Sequence, residues 1–373
     1  VLRAVALELN RPHDLAVLNE AAIADSQPPP PSDSPSTTPR PMNIEAPASP
    51  PAASPAAAYV HLPVRSSPYP QPDTVKPSSA SERSCSELCA RIRSRFGLGL
   101  DAATLDERTQ SALAEMRGGF QRSIQRLAEE LYAGSAHFVL ELIQNADDNK
   151  YASGATPSLH ITVSADRLRF DNNELGFTEG NVLSLCNIGQ STKKASDPRY
   201  IGNKGIGWKS VFKLSPTPQV HSRHYHLGFD SQDTSGLGYI CPSPILALPD
   251  WDESGGTSII LPVPPERANA EVREFELAMG RMQPLLLLFL HQLQRIDIAL
   301  TSGARRTLRR RIDAQDSGVV CLEETHSHPD GRTHATHMRF LVVTRKLTPA
   351  VTRGSAAVAS TELTIALPLP PAT

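Results

Sequence analysis

A proline-rich stretch near the N-terminus sets the first limit on what this chain folds into. Sixteen prolines lie between Pro28 and Pro77, among Ser, Ala and Thr and with few apolar side chains. Such a stretch cannot bury enough apolar surface to offset the entropy that a chain loses on folding. We predict a disordered, partly polyproline II linker over residues 26–80, and we expect the folded part of the chain to follow it.

The composition of the 373-residue chain argues against several classes of protein. A net charge of −2 gives no overall attraction to nucleic acid or to an anionic membrane. The most apolar run, residues 285–290, is too short to span a bilayer. Five scattered cysteines without a CxxC motif favour free thiols in a reducing compartment, so we expect an intracellular protein, cytoplasmic or nuclear. The chain begins with Val rather than Met, and we interpret residues 1–25 as the tail of an upstream region.

Hydrophobic periodicity predicts the elements of the folded part. Helical spacing occurs over residues 81–132, 135–151 and 268–294, and alternating strand patterns lie between and after these segments. Because strands and helices alternate irregularly, we predict an α/β sandwich of the α+β class, with one mixed, largely antiparallel sheet and helices on one face. The folded part is divided into a main domain over 81–265, a helix plus β-hairpin extension over 266–350, and a tail over 351–373.

One predicted helix carries a polar stripe that suits a nucleotide. Glu141, Asn145 and Asp148 fall on one side of the helix in HFVLELIQNADDNKY, because they are four and three residues apart. An amide oxygen can bind a hard cation such as Mg²⁺, and a carboxylate can accept a proton from an attacking water. The alternative is an ordinary solvated stripe on an amphipathic helix, which the spacing alone does not exclude.

Three glycine-containing segments follow this helix in the chain. NELGF breaks off a strand at residues 173–177, IGNKGIGWKSVF places glycines directly before a helix at 201–212, and GGTSIIL enters a strand at 255–261. Glycine lets a ligand approach the backbone closely, and a helix start offers free N–H groups to phosphate oxygens. Each segment alone is weak support for phosphate binding.

The order of these motifs resembles the GHKL ATPases, the group of heat-shock chaperones, repair ATPases, topoisomerases and histidine kinases. ELIQNADDN is similar to their N-box, NELGF to the first glycine box, IGQSTKK to the lid segment, and IGNKGIGWKSVF to the second glycine box. The complete run ELIQNADDN-x-Y is closest to that of the sacsin and NO VEIN-like proteins. The resemblance implies a Bergerat-type ATP-binding fold over 81–265 that binds ATP and Mg²⁺.

The resemblance also implies roles for single residues. Glu141 would be the general base that activates water, Asn145 would hold Mg²⁺, and Asp148 would line the pocket. Thr257 would support an adenine-reading carboxylate that falls here on Glu174. The remaining residues assigned to nucleotide binding lie in the glycine boxes and the lid: Gly176, Ser191, Thr192, Lys193, Gly202, Lys204, Gly205, Ile206 and Gly207.

One departure from the family pattern affects the recognition of adenine. Glu174 stands where the family has Asp, and its extra methylene shifts the carboxylate by roughly one C–C bond. Phe177 also stands where a second glycine is usual. Asp171 or Asn173 therefore remains an alternative reader of adenine.

Two functions are compatible with these patterns. The first is a Mg²⁺-dependent ATP-binding and ATP-hydrolysing switch with a chaperone-like or scaffold role in a larger protein, acting on a protein partner or client. The second is a non-catalytic nucleotide-binding or protein-interaction module, which the altered first glycine box favours. A run of arginines at 305–311 is interpreted as a solvated surface or an interaction edge, so neither a nucleic-acid partner nor a membrane partner is expected.

Overall fold

The computed structural model describes residues 80–99, 104–130, 137–187, 207–249, 251–347 and 361–370. The N-terminal residues 1–25, and all of the predicted linker except Ala80, lie outside these ranges. No helix among the described residues is both long enough and apolar enough to cross a membrane.

The described helices fall into two groups. The α-helices are α1 (Ala80–Arg95), α2 (Glu107–Glu130), α3 (His137–Asp147), α4 (Glu179–Cys186) and α5 (Pro265–Arg281). Two 3₁₀ helices follow α4 and α5 in the chain, at Gly207–Lys213 and Pro284–Phe289.

Eleven described strands form one sheet, in the order β11-β10-β9-β8-β7-β1-β2-β6-β3-β4-β5. The strands are β1 (Ser158–Val163), β2 (Arg167–Asn172), β3 (Gln219–Ser222), β4 (Tyr225–Gly228), β5 (Ser243–Pro244), β6 (Thr257–Pro262), β7 (Arg295–Ala299), β8 (Arg305–Ile312), β9 (Val319–Ser327), β10 (Thr333–Leu347) and β11 (Thr361–Leu369). Strands β1 and β7 pair in parallel, and the other described pairs are antiparallel. The prediction of a mixed, largely antiparallel sheet in an α/β protein is confirmed.

The central strands alternate between a buried face and a more open face. Ile161 pairs with Phe170 on β2 and with Ile298 on β7, so these three buried side chains share one face. Phe170 lies 6.3 Å from both Phe138 of α3 and Phe275 of α5, measured between ring centroids. The aromatic cluster therefore packs α3 and α5 onto the same face of the sheet, and α3 carries the predicted polar stripe.

Two predictions on the C-terminal side were wrong. The long helix over 268–294 ends at Arg281, because Pro284 lacks the N–H that a continuing helix needs and starts a 3₁₀ helix instead. Residues 351–373 were assigned to a tail, yet Thr361–Leu369 forms strand β11 and pairs with β10 over its whole length. Strands β7 to β10 lie in the extension over 266–350, and β11 adds a further strand to the sheet beyond it.

The arginine run forms strand β8, and alternate side chains have different roles. The guanidinium of Arg306 is buried and donates to the carbonyls of Met279 and Met282 at the end of α5. Arg310 donates to the Leu287 carbonyl in the second 3₁₀ helix and to the His291 carbonyl beyond its end. The interpretation as a solvated surface is therefore wrong for these two arginines, which satisfy the carbonyl groups left open at helix ends.

Candidate functional site

Helix α3 presents its polar stripe at the edge of the core. Its apolar side chains, including Val139 and Ile143, are buried in the core. Glu141 and Asn145 are left half-buried, and Asp148, directly after the helix, is only 8% exposed. Glu141 and Asn145 thus lie one turn apart on α3, and Asp148 follows directly after the last residue of the helix.

The Glu141 carboxylate lies directly against Gly207. A Cβ added to Gly207 would stand 2.1 Å from Glu141 Oε2, which is far closer than two such atoms can approach. Gly207 begins the first 3₁₀ helix, whose side chains Trp208 and Phe212 are buried with Phe229 in an aromatic cluster. The backbone position of Gly207 is fixed by this packing, so its missing side chain makes room for the carboxylate of Glu141.

Lys209 ties the same 3₁₀ helix to α4. Its ammonium group is buried and donates to the carbonyls of Leu185, at 2.8 Å, and Tyr239, at 2.7 Å. Burial lowers the pKa of Lys209 to about 8. The Lys209 side chain therefore links the segments that precede and follow residues 188–206.

A second cluster surrounds Glu174, which is only 7% exposed. Thr257 at the start of β6 donates its hydroxyl to Glu174 Oε1 at 2.5 Å. Ser222 at the end of β3 lies 2.6 Å from the Thr257 hydroxyl, and its own oxygen accepts from the Phe177 N–H at 2.7 Å. Since each hydroxyl has one proton, these bonds form a chain of donors that ends on the Glu174 carboxylate.

The charge of Glu174 results from opposing influences. Burial raises the pKa of the Glu174 carboxyl above its usual range. The hydrogen bonds from Thr257 and from the Gly176 N–H, and the nearby guanidinium of Arg223, each act to lower that pKa. Ser222 and Arg223 were not predicted from the sequence, because both lie in a hairpin with no recognisable motif.

Asn149 and Tyr151, the last two specified residues of the run ELIQNADDN-x-Y, hold the end of α3 in place. The Tyr151 hydroxyl donates to the Ala146 carbonyl at 2.6 Å and accepts from the Asn172 amide at 2.8 Å. The Asn149 amide donates to the Asn172 side-chain oxygen at 3.0 Å. Burial raises the pKa of the Tyr151 phenol, which keeps it a donor. This network fixes the end of α3 to β2, and with it the position of Asp148.

Asp147 is a further important residue that sequence reasoning missed. Its carboxylate accepts hydrogen bonds from the backbone N–H groups of His291, Gln292 and Leu293 at 2.7 to 2.8 Å. Burial acts to raise its pKa, but the His291 side chain and these N–H groups outweigh burial and hold the pKa of Asp147 below its usual range. The residue thus joins α3 to the segment that leads into β7.

Several predicted site residues cannot be placed. Ser191, Thr192, Lys193, Gly202, Lys204, Gly205 and Ile206 lie outside the described residues. Of the two alternative readers of adenine, Asp171 forms an ion pair with Arg169, and the Asn173 side chain bonds the backbone at Ser158 and Thr156. Glu174 is the more buried carboxylate, and it alone of these three bonds to Thr257 in the described part of the chain.

Comparison with known proteins gives a partial match. The chain is 39% identical over 219 residues to the protein NO VEIN of Arabidopsis thaliana. The match covers 54% of this chain but only 8% of that plant protein, so the chain is similar to a small part of it. No model of a protein family matches the chain. The similarity supports the NO VEIN-like relationship.

Proposed function

We propose that residues 81–265 form a Mg²⁺-dependent ATP-binding and ATP-hydrolysing module of the GHKL type, with a Bergerat-type fold. The proposal rests chiefly on one observation, the meeting of segments distant in sequence in two clusters, here called the two poles of the site. Glu141 touches Gly207 at one pole, and Glu174 bonds to Thr257, 83 residues away in sequence, at the other. These are the segments that the resemblance assigns to the phosphates and to the base.

The Glu174 pole is suited to a purine with an amino group. One oxygen of the carboxylate accepts from Thr257, and the carboxylate also accepts the Gly176 N–H. Each carboxylate oxygen has two acceptor positions, so capacity remains for an N–H of adenine. The burial of this carboxylate would make such a bond specific, because a base without a donor would leave the acceptor unpaired.

The stripe on α3 is suited to magnesium bound together with a triphosphate. Asn145 would supply the side-chain oxygen, with the carboxylate of Asp148 beside it. The described residues contain no group of three or more His, Cys, Asp or Glu able to hold a metal on their own. Mg²⁺ fits this sparse set, since it keeps several waters and completes its shell with phosphate oxygens.

Glu141 would act on water rather than on the nucleotide. Its carboxylate stands one turn before Asn145 on α3 and faces Gly207 in the second glycine segment. A carboxylate in this position can orient a water and accept its proton as the water oxygen bonds to the terminal phosphorus and the bond to the departing ADP oxygen breaks. The movement of residues around the bound phosphates would then serve as the switch, and its output would be passed to a protein partner or client in a larger protein.

The test of this proposal is the Glu141→Ala variant. We expect ATP turnover to fall by about 10² to 10⁴-fold, the usual cost of removing a general base. ATP affinity should be retained, because the carboxylate contacts water rather than the nucleotide. Glu87→Ala, which removes an exposed carboxylate from α1, should hydrolyse as the parent chain does.

Two results would count against hydrolysis. Equal turnover by Glu141→Ala and the parent chain would remove Glu141 from catalysis. Saturable ATP binding without turnover above background would favour the second candidate, a non-catalytic nucleotide-binding module. That candidate is supported by Glu174 and Phe177, which replace the usual residues of the first glycine box.

A further inference from the structure

Arg223 has an unusual backbone conformation. It is the first residue of the two-residue turn between β3 and β4, and its φ is 51°. Among the residues that the structure describes, it is the one non-glycine residue with a positive φ. Such turns usually place Gly, Asn or Asp in this conformation, because a Cβ is disfavoured there. The turn alone therefore does not explain why an arginine occupies the position.

The side chain of Arg223 lies against the predicted base-binding segment. A Cβ added to Gly176 would stand 2.4 Å from Arg223 Cγ and 2.9 Å from its Cδ. Gly176 itself has a φ of 84°, a conformation that only glycine adopts readily. The aliphatic part of the arginine thus fills the space over Gly176 and restrains the turn that carries Glu174.

The backbone of Arg223 is also held in place. The Trp251 indole N–H donates to the Arg223 carbonyl at 2.7 Å. Ser222, the preceding residue, belongs to the chain of hydrogen bonds that ends on Glu174. The hairpin therefore contributes to the Glu174 cluster through two consecutive residues.

The charge of Arg223 acts on Glu174. Its guanidinium lowers the pKa of the Glu174 carboxyl, against the burial that raises it. Tyr151 is a titratable group close enough to feel the Glu174 charge, and burial keeps its phenol neutral by raising the pKa. The contact from β6 is the uncharged hydroxyl of Thr257.

We propose that Arg223 is a positioning residue for base recognition, which seats the Glu174–Gly176 turn so that the Glu174 carboxylate meets the amino group of a 6-amino purine. The inference rests on the nucleotide-binding function proposed above. An ionised carboxylate accepts from the amino group of adenine. Hypoxanthine, a 6-oxo purine, presents an acceptor oxygen at that position instead, so the same carboxylate meets it with no proton to share.

The test compares ATP with inosine triphosphate. The affinities of the full chain for both nucleotides are measured with Mg²⁺ at neutral pH. The parent chain should prefer ATP. In Arg223→Gly the aliphatic part of the side chain no longer fills the space over Gly176, so the turn that carries Glu174 is less firmly held. We expect the ATP preference to shrink by about tenfold, the effect of one misplaced hydrogen bond to a charged group.

Two matched variants separate this role from folding. Arg223→Lys keeps a positive charge and should keep most of the ATP preference. Arg332→Ala removes an exposed arginine from the turn between β9 and β10 and should change neither affinity. Arg223→Gly relieves a disfavoured conformation, so thermal unfolding should show a fold at least as stable as the parent.

The outcomes distinguish the inference from the function beneath it. A parent chain that binds neither nucleotide would contradict the proposed function and this inference with it. A parent chain that binds ATP, with an unchanged ATP preference in Arg223→Gly, would overturn the role of Arg223 alone. Equal weakening of both nucleotides would overturn it as well.

Discussion

The two poles of the candidate site are built in different ways. The Glu174 pole is a closed network, in which Glu174, Thr257 and Ser222 are each less than 8% exposed and are joined by hydrogen bonds of 2.5 and 2.6 Å. The Glu141 pole depends on proximity, because a half-buried carboxylate rests on the bare backbone of Gly207. Under the proposed function, the closed network would select the purine and the Glu141 carboxylate would act on water. The difference teaches that recognition and reaction would then depend on two separately built parts of the molecule.

The comparison predicts the largest effect at Gly207. We expect Gly207→Val to lower ATP turnover by about 10²-fold or more, because the new Cβ displaces the Glu141 carboxylate and removes the base from its position. Circular dichroism should show a folded chain, since the half-buried Glu141 can move aside. Turnover kinetics checks the prediction, and Gly280→Ala is the matched control, because a Cβ there meets nothing within 4 Å.

Unchanged ATP turnover in Gly207→Val would contradict the role given to the Glu141 pole. It would mean that the contact between Gly207 and Glu141 has no part in the reaction. The altered residue would then affect packing only.

The next largest effect is a loss of stability at Asp147, whose hydrogen bonds hold the end of α3. Asp147→Ala removes the acceptor of three backbone N–H groups, so we expect a loss of about 3 kcal/mol or more in the free energy of unfolding. Denaturant unfolding measures this loss. Asp106→Ala is the control, since that carboxylate is exposed and bonds only within its own helix start.

The same residue predicts a pH dependence. The folded-state pKa of Asp147 is lower than its unfolded value, so its contribution is complete above the unfolded pKa and is lost as the pH falls through the folded pKa. The parent chain should therefore lose stability in acid more steeply than Asp147→Ala does. Parallel acid curves for the two proteins would contradict this assignment.

The Glu174 pole gives a smaller effect on affinity. In Thr257→Val the Glu174 carboxylate loses its donor from β6, while the side-chain volume is nearly unchanged. We expect ATP affinity to fall by about tenfold, or roughly 1.4 kcal/mol, because the network no longer holds the carboxylate. Turnover at saturating ATP should change little. Thr344→Val, an exposed threonine on β10, provides the control.

The linker gives the smallest effect. None of the predicted motifs lies in residues 26–80, so a chain that starts at Ser81 should bind ATP with less than about a tenfold change in affinity. Calorimetric titration of the two chains compares them directly. A larger loss would mean that the proline-rich stretch contributes to the Glu174 or Glu141 pole.

The sequence predicted those helices and strands that carry a regular spacing of apolar residues. The alternation at 159–173 and 257–263 predicted strands β1, β2 and β6, and helical spacing predicted α3. The proline at 284 was read as part of a helix although it ends one. Strand β8 was missed because arginines carry no apolar alternation, although alternate side chains are buried.

Sequence reasoning likewise found some residues of the candidate site and missed others. Motif order brought Glu174 and Thr257 to attention, and the structure places them in contact. Asp147 escaped prediction because its partners lie about 144 residues away in sequence, and nothing local distinguishes it from Asp148. Arg223 escaped because its importance arises from a positive φ and from contact with Gly176, neither of which leaves a pattern in the sequence.

The most direct test of the nucleotide module is calorimetric titration of the full chain with ATP, in Mg²⁺ and then in excess chelator. The account predicts saturable binding in Mg²⁺ that weakens when the metal is removed, and an Asn145→Ala variant that has lost this dependence on the metal. Absence of saturable binding in both conditions would contradict it.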